Sequence, residues 1–319
     1  MNMKKVLSFL LAIMMLLSLC ACGGKEAEGP SVSSVSDYLL SINETPVTGS
    51  VGGEWLVFGL ARAEVEVPDG YFDSYYAGLE EYVTSCGGVL SDRKYSEFSR
   101  VIIAVTAIGK DARNVAGYDL TLPLAHYERT IFQGINGAVY ALLSLDCGGY
   151  EIPVTAEGTQ ATRDMYVDYI LSLECPGGGW TFAGGAAEVD MTAMVLQALA
   201  KYTHREDVKA AVDRGLAFIS GAQLTHGGFA ENDMESCETL AQVIVAFAEL
   251  GIPLDDARFV KDGHTVLDRM FEFYMADGGF CHNIGEEESN PMATEQALYA
   301  MTALWRNENG KTTLYSVAE

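Results

Sequence analysis

The segment GGGW at residues 177–180 leads, after a short spacer, into the apolar run EVDMTAMVLQALAKY at 188–202, and this pairing decides the fold. It recurs as GGF with ETLAQVIVAFAELG within residues 227–251, and as GGF with MATEQALYAMTAL within residues 278–304. The aromatic positions are spaced by about 50 residues, which is the length of a helix-hairpin repeat. The second half of the chain is therefore a repeat array.

Fainter copies of the apolar run precede these three. They are GINGAVYALLSL at 134–145, SEFSRVIIAVTAIG at 96–109 and, most divergent, GGEWLVFGLARA at 52–63. All six runs are apolar on nearly every side, and a helix of that kind has to be buried. We therefore expect six buried helices.

A second kind of helix alternates with the first, with charge on one face and apolar residues on the other, as expected of helices that cover a core. We predict these helices at residues 35–42, 71–86, 117–127, 162–174, 207–223 and 265–275. Six buried helices alternating with six amphipathic ones predict two concentric rings, an all-α fold of the α6/α6 toroid type. In each turn the glycines end the outer helix, and the aromatic ring fills the gap between repeats.

The repeats resemble those of terpenoid cyclases and protein prenyltransferases, also called prenyltransferase/squalene-oxidase repeats. The stretch from Gly177 to Tyr315 is most similar to clostridial cell-surface proteins of that superfamily, particularly in ESCETLAQVIVAFAELGIPLD, MATEQALYAMTALWR and NGKTTLYSV. Inner helices such as VDMTAMVLQAL are also similar to those in the toroid of the cobalamin carriers. The resemblance implies the toroid fold and leaves the chemistry open, because this fold hosts many functions.

The N-terminal segment predicts export and a lipid anchor. Lys4 and Lys5 precede an uninterrupted apolar run at 6–19, which is the pattern of a signal peptide. The next residues, LCACGG, resemble the lipobox of bacterial lipoproteins, and the resemblance implies a lipid-modified Cys22 on the extracellular face of the cell membrane. We predict a signal peptide at 1–21, a tether at 22–35, the toroid at 36–305 and a C-terminal tail at 306–319.

The charge of the chain limits its partners. Lys and Arg number 20 against 44 Asp and Glu, for a net charge of -24. Such an anion repels phosphate backbones, which excludes sequence-independent nucleic-acid binding. This charge is compatible with several classes of binding partner, namely cations, neutral ligands, polymers and basic proteins.

The polar residues that are candidates for a functional site are expected at one rim of the barrel, because the N-termini of the inner helices converge there. Asp190 holds the middle position of EVDMTA at 188–193, which matches the squalene-cyclase motif Asp-x-Asp-Asp-Thr-Ala except that Met191 replaces the third acid. The resemblance implies that Asp190 would protonate an alkene, whereas the plainer interpretation makes it a helix N-cap. Asp190 and Glu238 are also the carboxylate pair that a saccharide-cleaving toroid would use.

The rim and the repeat turns together give the predicted ligand-lining set. These residues lie at the starts of the inner helices, one or two turns into them, or in the Gly-Gly-aromatic turns. They are Trp180, Glu188, Asp190, Phe229, Glu235, Glu238, Gln242, Phe280, Thr294 and Glu295.

A zinc site is the alternative that the prenyltransferase resemblance suggests. Those enzymes hold zinc with an Asp, a Cys two residues later and a distant His, and Glu235-Ser236-Cys237 mimics the first pair. Cys281 and His282 lie in a later loop, and two adjacent ligands on one loop make an awkward tetrahedron. We therefore expect neither a metal nor a cofactor.

These observations predict a lipid-anchored surface toroid that binds a ligand in its cavity or on its rim, without catalysis of its own. The ligand would be a small hydrophobic or corrinoid-type molecule, or a surface polymer. The cobalamin carriers clamp their ligand with a second, β domain, which here would have to come from a separate partner protein. The alternatives are a cyclase or transferase using Asp190 or a Cys/His zinc site, and an interaction scaffold without a ligand.

Overall fold

The computed structural model describes residues 29–231 and 234–317. From Ser31 onward the chain forms one compact unit. The predicted signal peptide and Cys22 lie outside the described residues. None of the helices in the described ranges is long and apolar enough to cross a lipid bilayer.

The described residues form α-helices joined by turns, short 3-10 segments and isolated bridges, without a β-strand. In chain order the α-helices are α1 (Val32–Ile42), α2 (Trp55–Ala63), α3 (Tyr71–Ser85), α4 (Ser96–Ala107), α5 (Tyr127–Thr130), α6 (Ile135–Cys147), α7 (Arg163–Ser172), α8 (Val189–Leu199), α9 (Glu206–Ala222), α10 (Cys237–Glu249), α11 (Val266–Phe271) and α12 (Pro291–Glu308). The even-numbered helices are the predicted buried set, and the odd-numbered helices are the predicted amphipathic set.

The even-numbered helices close into a ring. Each packs against its neighbours in the order α2, α4, α6, α8, α10 and α12, and α12 packs back against α2. Nearly all of their side chains are buried, which is why their sequences are apolar all round. The odd-numbered helices lie outside this ring. The fold is thus the predicted α6/α6 toroid.

Two outer helices are much shorter than predicted. The segment predicted as a helix at 117–127 contains only a 3-10 turn, Leu122–Ala125, and the four-residue α5 follows it. Pro123 lacks an amide hydrogen and Gly134 has a positive φ, so the helical pattern is interrupted on both sides. α11 has six residues, where eleven were predicted at 265–275. α1 begins at Val32, within the predicted tether.

The Gly-Gly-aromatic turns join each repeat to the next. Gly178 has a φ of +102°, and a side chain there would meet the carbonyl oxygen of Arg214 in α9 at 2.8 Å. The last turn repeats the arrangement, because Gly278 lies against Tyr38 of α1 and so joins the final repeat to the first. Trp180 is fully buried, and its indole Nε1 donates to the carbonyl oxygen of Ile170 in α7 at 2.8 Å. The aromatic rings therefore fill the gaps between repeats, as predicted.

The C-terminal tail seals one end of the ring. Leu314 and Tyr315 are buried, and the Tyr315 ring stacks on Phe58 of α2 at 5.2 Å between centroids. Two buried arginines donate to the tail main chain: Arg62 to the carbonyl oxygen of Leu314 at 2.9 Å, and Arg306 to that of Thr312 at 2.7 Å. We call this the sealed end.

Candidate functional site

The opposite end of the ring, where the inner helices begin, is not covered by the tail, and we call it the open end. A set of side chains in the first halves of the inner helices is half-buried among buried neighbours. All six inner helices contribute to this set, and the pairs on α6 and α8 are four residues apart and so share one helix face. The residues are Trp55, Arg100, Asn136, Tyr140, Asp190, Met194, Glu238 and Gln296. We call this group of half-buried side chains the pit.

Aromatic rings from three helices meet in the pit. The ring of Trp55 lies 5.9 Å from that of Tyr140 and 6.3 Å from that of Tyr299, measured between centroids. Burial raises the pKa of Tyr140 to about 12, so its phenol is neutral. Within the described residues, no protein group forms a hydrogen bond with the Tyr140 hydroxyl. The deep part of the pit therefore presents aromatic surface and an uncommitted hydroxyl.

A cation on the pit wall is held by two carboxylates. Arg100 Nε donates to Oε2 of the fully buried Glu54 at 2.9 Å, and its Nη2 donates to Oε2 of Glu97 at 2.6 Å. Tyr75 donates to Oε1 of Glu54 at 3.3 Å from the outer ring. Burial raises the pKa of Glu54, while the charge of Arg100 lowers it. Arg100 is consequently fixed in place, and its charge is largely compensated.

Amide side chains connect three consecutive inner helices. Gln197 Nε2 donates to Oε1 of Gln242 at 2.8 Å, and Gln242 Nε2 donates to Oε1 of Gln296 at 2.9 Å and to the Tyr299 hydroxyl at 2.6 Å. The side-chain amide of Gln242, one of the predicted ligand-lining residues, is thus already hydrogen-bonded to other side chains of the protein. Gln296 is the half-buried member of this chain, whereas Gln197 and Gln242 are buried.

Three carboxylates gather around the start of α8. Asp190 accepts from the amide of Met191, Glu231 accepts from the amide of Val189 at 3.0 Å, and Glu188 accepts from the amide of Phe182 at 2.7 Å. Burial raises the pKa of Asp190, with a smaller contribution from the negative charge of Glu188. Burial and the two neighbouring acids likewise raise the pKa of Glu231.

The second predicted catalytic carboxylate has a histidine partner. Nδ1 of His282 lies 2.9 Å and 2.8 Å from the two carboxylate oxygens of Glu238. Burial raises the pKa of Glu238, and the contact with His282 opposes this effect. Asp190 and Glu238 begin adjacent inner helices and both face the pit, so the structure brings the two predicted carboxylates to the same opening.

The other predicted ligand-lining residues are placed differently. Trp180, Phe229 and Phe280 are inside the protein between repeats, and a ligand at the mouth does not reach them in this structure. Thr294 is also buried, and its hydroxyl accepts from the amide of Phe280 at 2.9 Å. Glu235 pairs with Arg269 of α11 at 2.8 Å.

Glu295 lies directly behind the pit wall. Its Oε1 accepts from the amide of Gly52 at 2.7 Å, while its Oε2 is buried without a partner in the described structure. Burial, with a contribution from the charge of Glu54, raises the pKa of Glu295 to about 8. Its carboxyl group is therefore protonated at neutral pH.

The zinc alternative finds no support in the geometry. Within the described ranges no group of three or more His, Cys, Asp or Glu side chains is arranged to hold a metal ion. Cys237 and Cys281 are buried, and burial raises the pKa of both thiols, which keeps them protonated. A cysteine binds zinc as its thiolate.

Most of the pit residues were absent from the predicted set. Trp55, Arg100, Asn136, Tyr140, Met194 and Gln296 were all missed, because helices that are apolar all round give no sign of which face borders the centre. One signal was present: Arg100, Gln242 and Gln296 are polar at the equivalent position of three aligned inner helices, one turn after the start. A polar residue repeated at one position of a buried helix indicates a shared polar interior.

No family model matches this sequence, and no curated protein matches it. The structure is similar to UGL, solved as a variant with dGlcA-Glc-Rha-Glc, with a TM-score of 0.60 and 13% identity over 90% of this chain and 97% of that chain. An unsaturated glucuronyl hydrolase from Bacillus sp. GL1 gives a TM-score of 0.57 and 12% identity, over 90% and 97% of the two chains. A variant of the type II terpene cyclase MstE from Scytonema gives 0.56 and 10%, over 85% and 95%.

These similarities define the class of the fold. The chain is an α/α toroid, like the terpene cyclase and the glucuronyl hydrolase. At 10% to 13% identity the likeness shows the fold alone. The activity of this chain has to be argued from its own pit.

Proposed function

We propose that this protein is a cell-surface lipoprotein whose pit binds a sugar unit of a surface polymer without changing it covalently. The observation that carries the proposal is the composition of the pit. Aromatic surface from Trp55 and Tyr140 lies beside hydrogen-bonding groups of several kinds, namely the guanidinium of Arg100, the carboxylates of Asp190 and Glu238 and the amide of Gln296. A sugar offers the matching combination of apolar ring faces and hydroxyl groups that donate and accept.

The same composition disfavours a purely hydrocarbon ligand. Such a ligand offers no hydrogen-bonding partner to Asp190, Gln296 or the Tyr140 hydroxyl, and a polar group that loses water without gaining a partner costs free energy. The pit also lacks the mostly apolar lining that is usual for small hydrophobic ligands. A terpene-like ligand is therefore the weaker alternative.

The surface location rests on the sequence of the N-terminus, LCACGG at 19–24. Mass spectrometry of the mature protein tests it: the expected first residue is Cys22 with a diacylglycerol thioether, and protein extracted from Cys22→Ser cells should lack that lipid. A mature protein without lipid on Cys22 contradicts the anchor and leaves the pit proposal unaffected.

Binding to the pit is tested with the full chain in detergent micelles. Isothermal titration calorimetry against a panel of neutral sugars, aminosugars and uronic acids should find binding of at least one class. Trp55→Ala should weaken that binding by about tenfold, the equivalent of about 1.4 kcal/mol. Trp305→Ala is the matched control, because Trp305 lies near the sealed end under Lys311, and it should bind like the wild type. Absence of binding to every sugar refutes the proposal.

A second function is favoured by one observation. Asp190 and Glu238 face one opening, and burial raises the pKa of both, which is the condition for a carboxylic acid that donates a proton. The alternative is therefore cleavage of the bound saccharide by this pair. Release of reducing ends by the wild type, lost in both Asp190→Asn and Glu238→Gln, would establish hydrolysis in place of simple binding.

A further inference from the structure

Exposed apolar side chains are frequent in one set of connections between helices. In the described structure, many of the exposed large apolar side chains lie in the connections that lead from an outer helix to the next inner helix. These connections surround the pit, and we call them the rim. The members closest to the inner-helix starts are Val51, Phe132, Phe182, Met234, Ile284 and Met292. Val89, Leu122 and Val154 line a separate side pocket.

Two rim residues are aromatic and belong to neighbouring repeats. Phe132 is 61% exposed and lies just before α6, with the guanidinium group of Arg93 over its ring, 5.1 Å from the centroid. Phe182 is 62% exposed and lies in the turn before α8. Helices α6 and α8 pack against each other in the ring. The amide of Phe182 is bonded to Glu188, so the turn that carries this ring is tied to the acids beside the pit. Exposed aromatic rings at the edge of a polar opening are typical of a surface that contacts a ligand.

The acids beside Phe182 lack a positive partner. None of Glu188, Asp190 and Glu231 forms an ion pair with a Lys, Arg or His side chain of the described structure; their partners are backbone amides. Each of these charges therefore favours a positive group on a ligand and disfavours a negative one. The net charge of -24 acts in the same direction at longer range.

We propose that the rim binds the sugar units that flank the unit in the pit, with Phe182 as a stacking surface, and that the ligand is a polysaccharide with free amino groups. This inference rests on the proposed function of the pit and names the ligand class. The Phe182 ring contacts the apolar face of a flanking sugar, and the carboxylates of Glu188 and Glu231 contact its ammonium groups. A uronic-acid polymer would instead be repelled by the same groups.

The test compares oligomers of glucosamine with two and six units, titrated into the full chain in detergent micelles. The hexamer should bind the wild type about tenfold more tightly than the dimer, since it reaches both the pit and the rim. Phe182→Ala should remove most of that gain. Tyr82→Ala is the matched control: Tyr82 is an exposed aromatic residue on the outer helix α3, and its loss should leave the gain intact.

The ligand class is tested with the N-acetylated hexamer, which has the same length without the amino charge. It should bind about tenfold more weakly than the glucosamine hexamer at low salt, and the difference should shrink at high salt because screening weakens the contact. Equal binding of the two hexamers overturns the amine assignment.

The remaining outcomes separate the two proposals. If the glucosamine dimer binds but the hexamer gains nothing, the rim inference is wrong and the pit function stands. A length gain that persists undiminished in Phe182→Ala also overturns the inference. If no oligomer binds the wild type, the proposed function itself fails.

Discussion

The open end and the sealed end of this toroid are built from the same six inner helices, yet they differ in how far their polar side chains are hydrogen-bonded within the protein. At the sealed end, the guanidinium groups of Arg62 and Arg306 donate to carbonyl oxygens of the tail, and Arg306 also donates to the carbonyl oxygen of Arg62. At the open end, Asp190, Glu238, Gln296 and the Tyr140 hydroxyl keep hydrogen-bonding capacity toward the pit. The difference indicates that one end maintains the fold and that the other is available for a ligand.

The largest expected effect is at the sealed end. Arg306→Ala removes donors to the carbonyl oxygens of Arg62 and Thr312 and to Glu64, and so leaves buried acceptors unpaired. We expect the free energy of unfolding to fall by about 3 to 5 kcal/mol, as measured by urea denaturation. Arg258→Ala is the control, since Arg258 is an exposed partner of Asp256. Equal losses in the two variants would mean that the tail contributes nothing special to the fold.

The next effect concerns the buried carboxyl group behind the pit. The pKa of Glu295 is about 8 in the folded protein and ordinary, near 4.5, in the unfolded chain. Between these values the unfolded state has lost the proton that the folded state keeps, so stability should fall as the pH rises from about 5 to about 8.

Glu295→Gln removes this dependence. At pH 9 the free energy of unfolding of the variant should exceed that of the wild type by about 2 kcal/mol. One pKa unit corresponds to about 1.4 kcal/mol, and structural relaxation around the ionised carboxylate lowers the total below the value for the whole pKa shift. At pH 5 the two should be similar. Urea denaturation at both pH values measures the difference, and Glu308→Gln near the exposed end of the same helix serves as the control. Parallel pH profiles for Glu295→Gln and the wild type would contradict the assignment.

A smaller effect is expected in the amide chain that crosses the pit wall. Gln242→Met keeps the volume and removes the bonds to Gln197, Gln296 and Tyr299. The cost should be about 1 kcal/mol, because water entering from the pit partly replaces the lost partners. If the loss of unfolding free energy approached that of Arg306→Ala, the polar groups of the open end would contribute to stability as much as those of the sealed end. The proposed difference between the two ends would then be wrong.

The smallest effect belongs to the outer surface. Lys209 and Asp213 form an ion pair one turn apart on α9, and both side chains are mostly exposed. Lys209→Ala should change the free energy of unfolding by less than about 0.5 kcal/mol, and less still at high salt. A larger change would show that the outer ring contributes through charge as well as through its buried face.

The sequence predicted the architecture more completely than the site. The repeated Gly-Gly-aromatic turns and the apolar runs after them predicted inner helices within residues 188–202, 238–251 and 292–304, and the structure has helices at Val189–Leu199, Cys237–Glu249 and Pro291–Glu308. Those turns are local signals, because glycine with a positive φ is recognisable without knowing the partner helix. The lengths of short outer helices such as α5 were overestimated, because tertiary packing, and not the local sequence pattern, decides where so few residues become helical.

The site was harder because it depends on distant contacts. Trp55 and Tyr140 are 85 positions apart in the chain and meet only because the ring closes. The partnership of Glu238 with His282 likewise needs the loop after α11 to return to the start of α10. By contrast, the turn aromatics were expected both to fill gaps and to line the mouth, and the structure places them in the gaps.

Closure of the ring has a consequence for how the molecule comes apart. A linear array of repeats exposes an apolar flank at each end and tolerates the loss of a terminal unit, since each repeat contacts only its neighbours. Here Gly278 lies against Tyr38 and α12 against α2, so no repeat is terminal. Deleting any single hairpin creates two unprotected flanks at once, and unfolding is therefore expected to be all-or-none, with no stable partial arc.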